Sequence, residues 1–146
     1  MLLELVHKFG AAFLSELEEA QYLGTELNSF PAGSCEITSQ MLALYLYSNG
    51  INDVVYTRNQ TSTLNAGSIH YWVIAENTII DLTAHQFEEF KGHCFLPLDS
   101  EFHGRFEQLS EHKPDINSLY RQSDGQSYES FYFNVINRIK NRIKSA

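Results

Sequence analysis

Two short apolar runs, residues 68–75 and 78–82, stand on either side of Glu76-Asn77. Runs of this length, rich in Ile, Val, Tyr and Trp and separated by polar residues, predict an antiparallel hairpin. A hairpin constrains more than its own turn, because side chains alternate between faces and a one-residue slip exchanges them. If Glu76-Asn77 is a two-residue turn, Trp72 stands opposite Asp81 and His70 opposite Thr83. His70 and Asp81 are then diagonal neighbours on one face, about 7–8 Å apart at the backbone. A four-residue loop preserves this register, whereas an odd-length loop reverses it unless a bulge corrects it. Asp81 follows Ile79-Ile80 and precedes Leu82. A carboxylate in such surroundings is costly to bury alone, and His70 is the partner within reach. Plainer readings stand beside this one: His70 as a satisfied core residue, and Asp81 or Thr83 as the cap of the turn that follows.

A third polar group opens the helix expected over 35–48. Ser34 offers a cap, Glu36 puts an acid in the first turn, and Asn49-Gly50 supplies a left-handed stop. Cys35 begins this helix, where unpaired backbone N–H groups and the positive end of the dipole favour thiolate over thiol. The same N–H groups can receive an oxyanion when a carbonyl is attacked. A buried structural cysteine is the alternative. Thiol catalysis needs a base, and the base needs a group that fixes its tautomer. Cys35, His70 and Asp81 fill those roles in order, with Asp81 expected to accept Nδ1–H and Nε2 expected to face the sulfur. Cys35 and Cys94 are the only cysteines and read as free thiols.

Around these elements the pattern predicts a single α+β domain over residues 1–146, an antiparallel sheet flanked by helices. A helix over 2–20 carries Leu2, Val6, Phe9, Phe13 and Leu17 on one stripe, and the helix over 35–48 is expected to bury one face through Ile37, Met41, Leu44, Tyr45 and Ser48. Strands are expected over 53–58 and 94–98, a short helix over 84–91, irregular chain or broken helix over 101–125, and a final helix over 128–145. Ten Phe and eight Tyr supply enough apolar volume for a core, and Trp72 is the candidate to line a substrate groove. The net charge of −8 argues against nucleic acid and anionic membrane as partners. Arg138, Lys140, Arg142 and Lys144 read as cations complementing a helix C-terminus. His85, His93, His103 and His112 show no metal-ligand spacing, so neither metal nor cofactor is expected. The first residues make a poor signal peptide and no stretch is long enough to span a bilayer, which suggests a cytoplasmic protein or one exported without a cleavable signal.

Gly33-Ser34-Cys35-Glu36, His70-Tyr71-Trp72-Val73 and Ile79-Ile80-Asp81-Leu82-Thr83 together resemble the transglutaminase-like branch of the papain-like cysteine enzymes. The resemblance covers residues 30–87. It implies a nucleophile opening a helix packed on an antiparallel sheet, with base and orienting acid on neighbouring strands in H-x-W-V and D-x-T contexts. Cys35, His70 and Asp81 match those roles. The spacing from Cys35 to His70 is shorter than in large transglutaminases, and Glu36 stands where many members carry Trp. The Gly-x-Cys-Glu element is also similar to arylamine N-acetyltransferases, whose domains are longer. No Gln precedes Cys35 as an oxyanion donor; Asn28 is the nearest amide and takes that candidate role. The implied activity is cysteine-dependent acyl transfer on a protein or peptide substrate, as protease, glutamine deamidase or transglutaminase, in a small bacterial or phage enzyme. The alternative is a catalytically silent member that serves as a protein-binding module.

Overall fold

Five strands make one antiparallel sheet: β1 (Val54–Gln60), β2 (Ile69–Ala75), β3 (Thr78–Ile80), β4 (Phe95–Pro97) and β5 (Glu107–His112), in the order β4-β3-β2-β1-β5. Three helices accompany it: α1 (Leu2–Glu19), α2 (Cys35–Ser48) and α3 (Glu129–Ser145). The computed structural model describes residues 1–20, 27, 30, 33–62, 69–87, 93–120 and 128–145.

The β2–β3 hairpin has the expected register. Ala75 pairs with Thr78 and Val73 with Ile80, which leaves Glu76-Asn77 as a two-residue turn. Both turn residues have positive φ, 49° and 60°. That is the type I′ arrangement, whose twist matches the flanking strands. Asn tolerates the left-handed region, whereas Glu76 adopts it at a steric cost.

Each face of the sheet has its own apolar cluster. Val54, Tyr56, Val73, Ala75 and Ile80 join the helices in the main core. On the opposite face of β2, His70 and Trp72 meet Phe106, with Phe87 and Phe102 beside them. Such aromatic pairs contribute about 0.5–1.5 kcal/mol each beyond their burial.

α2 departs from the expected one-sided helix. Every residue from Ile37 to Leu46 is buried, while Ser48 is exposed. The reason is its position: α1, β1, β2 and the single turn at Ile116–Tyr120 pack around it, so no flank is left to solvent. Gly50, at φ 97°, ends the helix as expected, and the Asn49 amide caps the Tyr45 carbonyl at 2.8 Å.

Two other segments differ. Residues 84–91 were expected to be helical, but the described part is one 3-10 turn, Ala84–Gln86. Within 101–125, where irregular chain was expected, β5 pairs with β1 at the sheet edge, flanked by single turns at His103–Arg105 and Ile116–Tyr120. In β5 every residue except half-buried Ser110 is exposed, so no hydrophobic alternation marks it as a strand.

α1 and α3 are locked by Phe13 set edge-on to Phe131 at 5.4 Å and by a polar clamp. Buried Glu16 accepts from Asn134 at 3.1 Å and from Arg138 at 2.8 Å, and Arg138 also reaches Glu19 at 2.8 Å. Arg138 therefore bridges two helices, where the sequence suggested only a complement to its own helix dipole. Among the described residues no helix is long and apolar enough to cross a membrane.

Candidate active site

Cys35 is the first residue of α2 and is half-buried. The chain enters the helix through Gly33 at φ 72°, a conformation that L side chains rarely adopt. Ser34 stands at the N-cap position, yet its hydroxyl makes no capping bond. This differs from the expected side-chain cap and leaves the first-turn amides uncovered by the residue before them. Asn28, the candidate oxyanion donor, lies outside the described residues.

His70 is fully buried and lies between the other two members. Its Nε2 is 2.7 Å from Asp81 Oδ2, and the Cys35 sulfur is among the groups that raise its pKa. The ring orientation is the reverse of the one expected: Nε2, not Nδ1, faces the carboxylate. The Asn59 amide, opposite His70 in the β1–β2 register, donates to the His70 carbonyl at 3.1 Å and fixes the strand there. From that anchored position the far end of the ring is what reaches across to the next strand.

Asp81 sits one residue beyond β3, and its amide bonds the Cys94 carbonyl at 2.9 Å. Its two oxygens divide the two readings of this residue. Oδ1 accepts the Thr83 amide at 3.2 Å and holds the turn, while Oδ2 serves His70. Burial works to raise the Asp81 pKa, but His70 and a second histidine outweigh it and hold it down to about 2. Burial likewise works to lower the His70 pKa, and the Asp81 carboxylate with the Cys35 sulfur overcomes it, pushing it up to about 9. At neutral pH the pair is therefore imidazolium and carboxylate, and the nitrogen must be the donor.

The second histidine is His103, in the turn His103–Arg105. Its Nε2 is 2.8 Å from the same Asp81 oxygen, and its Nδ1 is 2.9 Å from Ser100 Oγ. Sequence reasoning considered His103 only as a metal ligand and missed this role. The available signal was local: Ser100 three residues earlier, with Phe102 and Phe106 flanking the histidine in an otherwise polar stretch.

Trp72 does not line an open groove. It is 5% exposed and stands edge-on to His103 at 4.6 Å and to Phe106 at 5.4 Å. Its role is to wall in the histidines, because the β2 residues on this face pack under the 100–106 segment. Tyr71, on the other face, feels the charge of Glu36, the residue next to the nucleophile. Burial, then the Glu36 charge, pushes the Tyr71 phenol up to about 12, so it remains a neutral donor. Cys94 is free and half-buried, and burial pushes its thiol up. Among the described residues no group of three or more His, Cys, Asp or Glu side chains is arranged to hold a metal ion.

Comparison of the chain with protein-family models, with curated proteins and with solved structures gives no match.

Proposed function

We propose that this protein is a cysteine-dependent acyl-transfer enzyme built on a papain/transglutaminase-like core, acting on a carboxamide or peptide carbonyl of a protein or peptide substrate. The observation that carries the proposal is the buried His70 ring, bonded at Nε2 to Asp81, with the Cys35 sulfur at the start of α2 helping to raise its pKa. A core histidine satisfied by Asp81 has no need of a half-buried thiol at a helix N-terminus acting on its ring.

In the reaction so assigned, the Cys35 sulfur attacks the carbonyl carbon as thiolate, with its proton on His70. The tetrahedral oxyanion forms against the first-turn amides of α2, where the helix dipole favours negative charge. His70 passes its proton to the leaving nitrogen as the C–N bond breaks, which yields ammonia from a glutamine side chain or an amine from a peptide. The now neutral imidazole takes a proton from water or an acceptor amine as that nucleophile attacks the thioester, and Cys35 is released as the thiolate. Asp81 stays ionised and holds the imidazole in place throughout.

The test combines a substrate-free and a substrate-based measurement. Alkylation of Cys35 by iodoacetamide at pH 7 is expected to slow at least about tenfold in His70→Ala. Mass spectrometry of glutamine-containing proteins incubated with the enzyme and an amine donor should then reveal deamidation, amine incorporation or cleavage, absent with Cys35→Ala. Unchanged alkylation in His70→Ala, together with unmodified substrates, overturns the proposal.

A further inference from the structure

We propose that His103 is a positioning residue for the reaction, the fourth member of a chain that runs from Cys35 through His70 and Asp81. The inference rests on the thiol-enzyme reading above and extends it to a residue that the three-residue arrangement does not require.

The geometry at Asp81 carries the argument. Oδ2 takes His70 Nε2 at 2.7 Å and His103 Nε2 at 2.8 Å, so both in-plane lone pairs of one oxygen are occupied. Oδ1 is held by the Thr83 amide at 3.2 Å. The carboxylate cannot swing about its own bond without giving up a buried hydrogen bond. His103 must present N–H at Nε2 to make its contact, because the carboxylate only accepts.

Ser100 secures that tautomer. Its oxygen lies 3.5 Å from the His103 backbone N–H and 2.9 Å from the ring Nδ1. With the backbone amide donating to the oxygen, the hydroxyl hydrogen points to Nδ1 and the ring hydrogen stays on Nε2. Ser100, His103 and Asp81 are all buried, so water does not compete for these bonds. The imidazole is held from the sides by Trp72 at 4.6 Å and Phe102 at 5.0 Å.

The consequence is mechanical. Cys35 faces His70 from α2 and Asp81 faces it from the hairpin end, with His103 acting on it through Asp81. The His70 ring also makes aromatic contacts with Trp72, Phe87 and Phe106. Asp81 is the carboxylate that holds the imidazole, at 2.7 Å from Nε2, so the orientation of Asp81 bears directly on the orientation of the base. In metal sites, the partners that orient a ligating histidine typically cost ~10–100-fold when removed, and the same orienting logic sets the scale expected here.

The experiment measures the iodoacetamide alkylation rate of Cys35 against pH in wild type, His70→Ala, His103→Leu, His103→Gln and His103→Asn. A glutamine amide nitrogen can take the place of Nε2, whereas an asparagine amide is too short to reach Asp81. His103→Leu and His103→Asn are expected to lower the rate at pH 7 about tenfold and to move the pH profile toward that of His70→Ala. His103→Gln should keep the wild-type profile and a rate within about threefold of it. If His103→Leu does not fold, the Gln and Asn variants decide the matter. Equal behaviour of those two, or a lowered melting temperature with an unchanged profile, overturns the positioning role. A His70→Ala profile identical to wild type overturns the thiol-enzyme reading itself, and so separates the two failures.

Discussion

The buried ion pair makes a prediction about stability that needs no substrate. His70 is raised from an ordinary value of 6.5 to about 9 in the folded protein, with burial opposing the shift and Asp81 leading the groups that impose it. A basic group with a raised folded pKa binds protons more tightly in the native state. Its stabilisation is complete below pH 6.5 and disappears as pH rises through about 9. One pKa unit corresponds to ~1.4 kcal/mol, so the contribution at stake is roughly 3 kcal/mol. The depressed Asp81 value describes the same ion pair from the acid side, where stability is present above 3.8 and lost as pH falls through about 2. The two contributions are therefore not summed. The perturbation is Asp81→Asn, which keeps the shape and removes the charge. Urea unfolding of both proteins, at intervals from pH 6.5 to 9.5, gives the stability gap between them at each pH. That gap should shrink by roughly 3 kcal/mol across the window, with most of the loss complete by pH 9. Groups that titrate alike in both proteins cancel in the difference. A gap that stays constant over this range would show that His70 and Asp81 do not form an ion pair, and the electrostatic account of the site would fail.

Two further outcomes test the scaffold. Glu76→Asn should raise stability by up to about 1 kcal/mol in chemical denaturation, because φ of 49° suits Asn better than Glu in a type I′ turn. Glu16→Ala should lower it by about 1–3 kcal/mol, since Asn134 and Arg138 both lose their buried acceptor; a double mutant with Asn134→Ala should then cost less than the two singles combined.

Spacing made some elements readable and concealed others. α1, α2 and α3 follow from 3.6-residue stripes and from stop signals such as Asn49-Gly50. The β2–β3 register follows from two apolar runs and a two-residue gap, and it places His70 and Asp81 on one face. β5 left no trace because most of its side chains face solvent, so pairing with β1 rests mainly on the backbone, with the Tyr56–His112 ring stack at 5.1 Å beside it. The full burial of α2 was hidden because it depends on what packs around a helix, and a helical stripe reports only one flank. The reversal of the His70 ring was equally out of reach: strand register fixes which face a side chain takes, whereas the choice of nitrogen depends on distances to the next strand. His103 stands 22 residues beyond Asp81, in a segment whose path no periodicity predicts.

The Asp81 amide makes the rung that joins the end of the hairpin to Cys94, beside the three-residue edge strand β4. Edge rungs are the first to open in native-state fluctuations. The carboxylate that orients the base is thus moored to the least supported margin of the sheet, while the base itself rides on a central strand. Deuterium uptake at this one amide should consequently outpace that of the β2 amides, and its rate would record how often the resting site comes apart.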